Sequence, residues 1–248
     1  MASHGFTSVE LAPSKLFAGG PLEATDGQIR AVRAFWGSRG IDIAAMQALL
    51  YGHPELTLFQ STDARLRTQD YLSYLIALGA RLGARALVFG APRQRARGRV
   101  PHDVAFRIAV EFFGGLSRAA EREGTCLCIE PVAEKAGCDF VVNGAEALQL
   151  VDAVNSPAFG LHLDTSAALL AGESLPDNLR AGQKRLKHVH ISEPDLDPVR
   201  PGGTADVPTL LSTLREIDYG GAVSIEMRGD DLGGNLDRIA VALQHVKA

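Results

Sequence analysis

Hydrophobic and polar residues alternate in blocks along the chain. Seven short apolar runs predict β-strands, at residues 8–13, 43–50, 86–91, 126–131, 159–165, 187–192 and 222–227. Between them lie longer stretches such as 63–84 and 103–124, where apolar residues recur at the three- and four-residue spacing of amphipathic helices. Alternating strands and helices are typical of parallel sheets joined by right-handed crossovers. The pattern therefore predicts an α/β barrel or a doubly wound sheet.

Helix boundaries are marked by capping residues. Asp103 and Asn143 precede apolar-periodic stretches and are candidate N-caps. Gly83 and Gly124 stand where the two long helices should end.

The positions of polar residues favour the barrel. Glu130, Asp164, His190 and Glu226 each fall at or near the carboxyl end of a different predicted strand, where barrel enzymes build their sites. A doubly wound sheet would more often carry a glycine-rich phosphate loop after its first strand, and no GxGxxG follows residues 8–13. We therefore predict one domain over residues 1–248, a TIM (β/α)8-type barrel.

The strand count departs from that of a closed barrel. Seven strand–helix units are found, which is one fewer than a closed (β/α)8 barrel has. We expect the first strand and helix to be absent, which leaves a gap between the strands at 8–13 and 222–227. A partner subunit in a homo-oligomer, a rearranged terminal segment or a start codon assigned too late would each account for the uncovered edge.

Charge and composition narrow the classes of partner. The formal charge is −4, from 25 basic and 29 acidic residues, so no basic excess favours nucleic acid. The N-terminus lacks a basic segment followed by an apolar one, and no apolar run approaches the roughly 18 residues of a membrane span. We expect a cytoplasmic protein without membrane partners.

Its three cysteines, Cys126, Cys128 and Cys138, are too few for a disulfide framework and should be reduced.

Five short motifs resemble a known family when they are taken in order. GFTSVEL, CIEP, HLDT, HVHISEP and SIEM are similar to motifs of the xylose isomerase-like TIM barrels, which include sugar-phosphate isomerases and epimerases and inosose dehydratases. The resemblance covers essentially the whole chain and implies a metal site of Glu130, Asp164, His190 and Glu226. In many relatives a histidine follows the metal-binding aspartate by three residues, and here that position is Ala167. This departure leaves the substrate open.

The residue types suit a hard divalent cation. Three carboxylates and one imidazole favour Mn²⁺, Mg²⁺ or Co²⁺, with Zn²⁺ a further possibility, and four such groups at one barrel mouth would be costly to bury without a cation. Because side chains alternate along a strand, His188 should lie beneath His190, and His162 beneath Asp164. For His162 and His188 a hydrogen-bonded structural role is an equally open interpretation. Glu130 could also cap the following helix, and Glu226 could pair with Arg228 at the rim.

Further candidates for substrate binding lie in the loops after the strands. Arg95 belongs to an arginine-rich segment after the third predicted strand and could pair with a substrate phosphate or carboxylate. The substrate-binding candidates are Arg95, His162, His188, Glu193, Arg200 and Arg228.

The leading hypothesis is a divalent-metal-dependent isomerase or epimerase acting on a small sugar, sugar phosphate or polyol derivative. Glu130 and Glu226 would transfer the proton through an enediolate. A metal-dependent dehydratase acting on a keto-sugar or inosose could use the same residues. A phosphodiesterase resembling the apurinic-site endonucleases, or a barrel that binds without catalysis, is a less favoured alternative.

Overall fold

The computed structural model describes residues 5–229 and 234–247, in which seven β-strands alternate with eight α-helices. The strands are β1 Ser8–Leu11, β2 Asp42–Met46, β3 Ala86–Phe89, β4 Cys126–Ile129, β5 Phe159–Asp164, β6 Leu186–Ser192 and β7 Val223–Glu226. The helices are α1 Asp26–Gly37, α2 Thr62–Leu82, α3 His102–Glu123, α4 Gly144–Val154, α5 Thr165–Ala171, α6 Leu175–Gly182, α7 Val207–Glu216 and α8 Asn235–Lys247. Short 3-10 helices occupy Pro13–Lys15, Pro21–Glu23, Glu134–Ala136 and Pro194–Leu196.

The seven strands form one parallel sheet in sequential order from β1 to β7. Sequential parallel strands with helical crossovers build the wall of a TIM barrel, and the sheet curves until it is nearly closed. The prediction of a seven-stranded TIM-type barrel is confirmed. None of the helices in the described residues is long and apolar enough to cross a membrane.

The barrel wall is interrupted between β1 and β7. Strand pairing within the described residues ends at these two strands, and a cavity of about 380 Å³ lies between them. Val9 and Val223 line this cavity from the strands, Leu243 of α8 closes part of it, and Glu10 and Glu226 line it on the barrel side. The predicted gap is therefore present. That a partner subunit covers it stays a prediction.

The second strand is shorter than predicted. It was expected to span residues 43–50, but β2 ends at Met46, and Ala48 has a φ of 53°, which no strand residue adopts. Tyr51 N donates to Ala48 O at 3.0 Å and closes a turn. Leu49 and Leu50 are nevertheless buried, so their apolar character reflects packing of a turn and not strand pairing.

Three of the four predicted helix boundaries are correct. Asn143 is the N-cap of α4, where its side chain accepts from Glu146 N at 2.9 Å. Gly83 and Gly124 end α2 and α3 in the left-handed conformation that glycine adopts without strain. The prediction for Asp103 is wrong, because α3 begins one residue earlier, at His102. Asp103 lies in the first turn and pairs with Arg107.

The main core lies between the strands and the surrounding helices, and it includes Leu72 and Leu75 of α2 and Phe113 of α3. A second, smaller cluster consists of Ala45, Ala86 and Cys128 on three successive strands. Cys128 precedes Glu130 by two residues, so both side chains are directed to the same face of the wall. The three cysteines are free, as predicted.

Candidate metal centre

Four strands deliver the predicted ligands to one end of the barrel. Asp164 and Glu226 are the last residues of β5 and β7, His190 lies within β6, and Glu130 directly follows β4. Asp164 is in register with His190, and Ser192 of the same strand with Glu226. Donor atoms of Asp164, His190 and Glu226 all lie within 4.8 Å of one another. Glu130 falls outside this group of three.

Glu130 remains electrostatically linked to the group. Its carboxylate lies against Gly90, the residue after β3, where a Cβ atom would be 2.4 Å from Oε2, so a larger residue there would displace the Glu130 side chain. Burial raises the pKa of Glu130 to about 8, and the neighbouring Asp164 and Glu226 carboxylates contribute to the rise. The side chain is 20% exposed. Without a cation, Glu130 therefore carries a proton at neutral pH.

Asp164 is held by two hydrogen bonds. Oδ1 accepts from Ala167 N at 2.7 Å and caps α5, and Oδ2 accepts from Ser192 Oγ at 2.6 Å. Burial raises the pKa of Asp164, and the Ser192 bond partly offsets that rise. Ser192 was not predicted as a site residue. It lies two positions beyond His190, and the alternation that places His188 below His190 would have placed Ser192 above it.

His190 connects the centre to a deeper carboxylate. Its Nε2 lies 2.9 Å from Oε2 of Glu10, and its Nδ1 lies 3.3 Å from Oε2 of Glu226. Burial alone would lower the pKa of His190, but the two carboxylates outweigh it and hold the pKa well above its ordinary value. Nδ1 is buried and makes no hydrogen bond. A buried nitrogen facing carboxylates without a hydrogen-bond partner suits a metal ligand.

Two further histidines lie in the layer below. His188 Nε2 lies 2.9 Å from Glu10 Oε2 and 3.2 Å from Ser224 Oγ. His162 is fully buried, both of its ring nitrogens lack hydrogen-bond partners, and Nδ1 is 4.0 Å from Glu130 Oε1. Burial holds the pKa of His162 well below its ordinary value, so this ring is neutral. Both histidines lie among interior side chains beneath the ligands.

Glu10 is a further residue of the site, outside the candidates drawn from the sequence. It lies on β1, and its side chain is 6% exposed. Burial would raise the pKa of Glu10, but the charges and hydrogen bonds of His190 and His188 outweigh burial and hold it well below the ordinary value. Glu10 is therefore a buried carboxylate. A carboxylate within an otherwise apolar predicted strand was the available signal.

Arg95 occupies a structural position, and its pairing with a substrate anion stays a prediction. Its side chain is fully buried and donates to four backbone carbonyl oxygens. Those of Gly90, Phe140 and Val141 lie 2.5 to 3.1 Å away. The guanidinium therefore ties the loop after β3 to the loop after β4. The positive charge of Arg95 lowers the pKa of Glu130.

The remaining predicted residues lie in the loops after β6 and β7. Glu193 is buried and accepts from Thr204 N at 2.8 Å and from Ala205 N at 3.2 Å, so its carboxylate holds its own loop in place. Arg200 and Arg228 are exposed, and Arg228 N donates to Leu196 O at 2.7 Å. The structure does not bring these three residues into the group of Asp164, His190 and Glu226.

The side chains of the centre fit a divalent cation. Asp164 and Glu226 supply carboxylate oxygens, and His190 supplies the unpartnered Nδ1 within the same group. Glu130 adds a third carboxylate whose pKa is raised by burial and by its acidic neighbours, and a cation would favour its ionised form. Oxygen-rich sets with one imidazole suit hard or borderline divalent ions.

The TIM-type barrel and the carboxylates at the carboxyl end of its strands together define a class of TIM-barrel protein. The chain matches the family described as xylose isomerase-like TIM barrel over residues 1–248. It belongs to that family.

Two curated relatives share part of the sequence. An inosose isomerase from Bacillus licheniformis is 32% identical over 130 residues, which is 48% of this chain and 46% of the relative. An L-ribulose 3-epimerase from Methylomonas sp. is 32% identical over 83 residues, 34% of this chain and 29% of the relative. The matched regions thus span less than half of either relative.

Solved structures resemble the chain over almost its whole length. D-psicose 3-epimerase from Clostridium cellulolyticum H10 superposes with a TM-score of 0.81 at 20% identity, covering 99% of this chain and 90% of that one. The IolI protein, solved with a zinc atom, superposes with a TM-score of 0.76 at 19% identity, covering 99% and 87%. These similarities establish a shared fold.

Proposed function

We propose that the protein is a divalent-metal-dependent isomerase or epimerase of a small sugar, sugar phosphate or polyol derivative. The observation that carries the proposal is the convergence of Asp164, His190 and Glu226 within 4.8 Å around a buried nitrogen that has no hydrogen bond. The names of the curated relatives, a ribulose epimerase and an inosose isomerase, support a carbohydrate substrate.

Asp164, His190, Glu226 and Glu130 would hold the cation. When bound, the cation supplies electrophilic polarisation of a carbonyl group and so acidifies the adjacent C–H bond. The IolI protein, which shares this fold, was solved with a zinc atom, and this supports a divalent ion in the proposal. Mn²⁺, Mg²⁺, Co²⁺ and Zn²⁺ all remain in the proposal.

The proton transfers are assigned to Glu130 and Glu226. The two side chains come from β4 and β7 and are both partly exposed, at 20% and 22%, so a substrate in the barrel mouth can reach them. One carboxylate takes the proton from the carbon next to the carbonyl, which gives an enediolate, and the other returns a proton to complete epimerisation or isomerisation. A dehydratase would use the same carboxylates, with one protonating a departing hydroxyl group.

Metal binding and a substrate panel test the proposal. Protein purified without chelator should contain a divalent metal, and Asp164→Ala and His190→Ala should lose it. Glu216→Gln, an exposed carboxylate on α7 paired with Arg180, is the matched control and should keep it. Ketoses, aldoses, inososes and their phosphates are then tested with and without metal, and loss of water separates a dehydratase from an isomerase. Unchanged metal content in both alanine variants would contradict the assignment.

A further inference from the structure

We propose that Glu10 is a positioning residue, which fixes the tautomer and orientation of His190 so that Nδ1 is free for a cation. This inference rests on the proposed metal-dependent function. It assigns a role to a side chain outside the predicted ligands, on a strand that contributes none of them.

The hydrogen bonds of Glu10 span the interior of the barrel. Oε2 lies 2.9 Å from Nε2 of His188 and 2.9 Å from Nε2 of His190. Glu10 is on β1 and the histidines are on β6, and these strands are not neighbours in the sheet. The carboxylate therefore links the edge strand of the open barrel to the strand that carries a proposed ligand.

The geometry determines which nitrogen of His190 carries hydrogen. An ionised carboxylate can only accept hydrogen bonds, so Nε2 of His190 must be the donor. When a cation takes the place of hydrogen on Nδ1, the hydrogen that Glu10 keeps on Nε2 leaves the lone pair of Nδ1 for the ion. Nδ1 is the nitrogen that lies 3.3 Å from Glu226 Oε2, within the group that includes Asp164.

The contact also fixes the orientation of the ring. A hydrogen bond from the outer nitrogen of a ligating histidine to a carboxylate restricts ring rotation and raises the basicity of the other nitrogen. His188 donates to the same oxygen, which holds Glu10 in place from the layer below. Without Glu10, nothing on β1 would select Nε2 over Nδ1 for the hydrogen, and a hydrogen on Nδ1 would block the cation.

Three variants separate this role from general effects on the edge strand. Glu10→Met keeps the length of the side chain and removes both acceptors. Glu10→Gln keeps one acceptor oxygen and removes the charge. Val9→Ala is the matched control, because Val9 is the adjacent residue on β1 and packs against the hydrophobic core.

The first measurement is Zn²⁺ affinity by competition with a chelator. Wild type and Val9→Ala should bind equally, Glu10→Met should bind roughly 10- to 100-fold more weakly, and Glu10→Gln should lie between them. The second measurement is ¹⁵N NMR of the histidine rings in the Zn²⁺-loaded protein. It should show a metal-bound Nδ1 and a protonated Nε2 for His190 in wild type, and this pattern should be lost or mixed in Glu10→Met.

The outcomes distinguish the two proposals. If wild type binds Zn²⁺ and Glu10→Met binds it equally with the same ring signals, the positioning role is wrong and the proposed function stands. If wild type itself does not bind divalent ions, the proposed function fails. Equal losses in Glu10→Met and Val9→Ala would assign the effect to the edge strand and overturn the positioning role.

Discussion

Replacing Glu130 by Gln should stabilise the metal-free protein at neutral and alkaline pH. The side chain keeps its size, but it no longer has to hold a proton in a buried acidic environment. Burial, followed by the charge of Asp164, raises the pKa of Glu130 from 4.5 to about 8. Between these values the folded chain binds a proton that the unfolded chain has released, so this residue's contribution to stability decreases as pH rises.

The magnitude follows from the difference between the folded and unfolded pKa values of Glu130. At about 1.4 kcal/mol per pH unit, Glu130 costs roughly 3 kcal/mol of stability at about pH 7, where it retains its proton, and roughly 5 kcal/mol above about pH 8, where it is buried as a carboxylate. Water screens the exposed fifth of the side chain, so these figures are upper limits. For a chain of this length, roughly 3 kcal/mol corresponds to about 6–12 °C in Tm.

The assay is thermal unfolding of metal-free wild type and Glu130→Gln at several pH values from about 4.5 to 9. The two proteins should unfold at nearly the same temperature at the acid end, and the variant should unfold at progressively higher temperature up to about pH 8. Added divalent metal should reverse the order, because it stabilises the form that binds it more tightly.

Glu216→Gln is the control for the loss of a carboxylate, since Glu216 is an exposed residue paired with Arg180. Its difference from wild type should not grow across the same pH range. The reasoning is refuted if the stability difference between Glu130→Gln and wild type is the same at about pH 5 and about pH 9.

Two further predictions concern the loops and helix ends that frame the centre. Arg95→Met should destabilise the protein by roughly 3 kcal/mol or more in urea unfolding, because buried carbonyl oxygens lose their donor, and a change below about 1 kcal/mol would contradict the structural role. Asn143→Ala should cost about 1 kcal/mol as the loss of an N-cap, whereas Asp103→Ala should stay within about 0.5 kcal/mol. Equal losses of stability in Asn143→Ala and Asp103→Ala would show that Asn143 is not an N-cap.

The barrel could be predicted because its signals are local and repeated. Each strand is a short apolar run, and each long helix has apolar residues at helical spacing. The count of seven strands in the described part of the chain followed from counting these runs. The end of β2 could not be predicted, since Leu49 and Leu50 are as apolar as strand residues, and the turn depends on a left-handed backbone at Ala48.

The positions of the proposed ligands were easier to predict than those of the loop residues. Asp164, His190 and Glu226 stand at or near strand ends, and strand position alone brings them to one end of the barrel. Arg95 lies in a loop, and its direction depends on the carbonyl groups of a second loop about 45 residues away. Charge and proximity to a strand end suggested a substrate contact. No sequence pattern indicates the buried carbonyl groups that Arg95 contacts.

The contacts of Glu10 could not be predicted from the sequence either. Its link to His190 joins residues 180 positions apart on strands that are not adjacent. A carboxylate within an apolar strand can be recognised in the sequence, but its partner depends on the curvature of the whole barrel.

Incorporation of deuterium from D₂O during turnover tests the central claim most directly. With a ketose or aldose that the protein converts, proton transfer through Glu130 and Glu226 predicts deuterium at the carbon next to the carbonyl, measured by NMR or mass spectrometry. Incorporation should require a divalent metal and should be lost in Glu130→Gln and in Glu226→Gln, while Glu216→Gln behaves as wild type. Conversion without deuterium incorporation, together with full activity in both Gln variants at the centre, would contradict the proposed proton transfer.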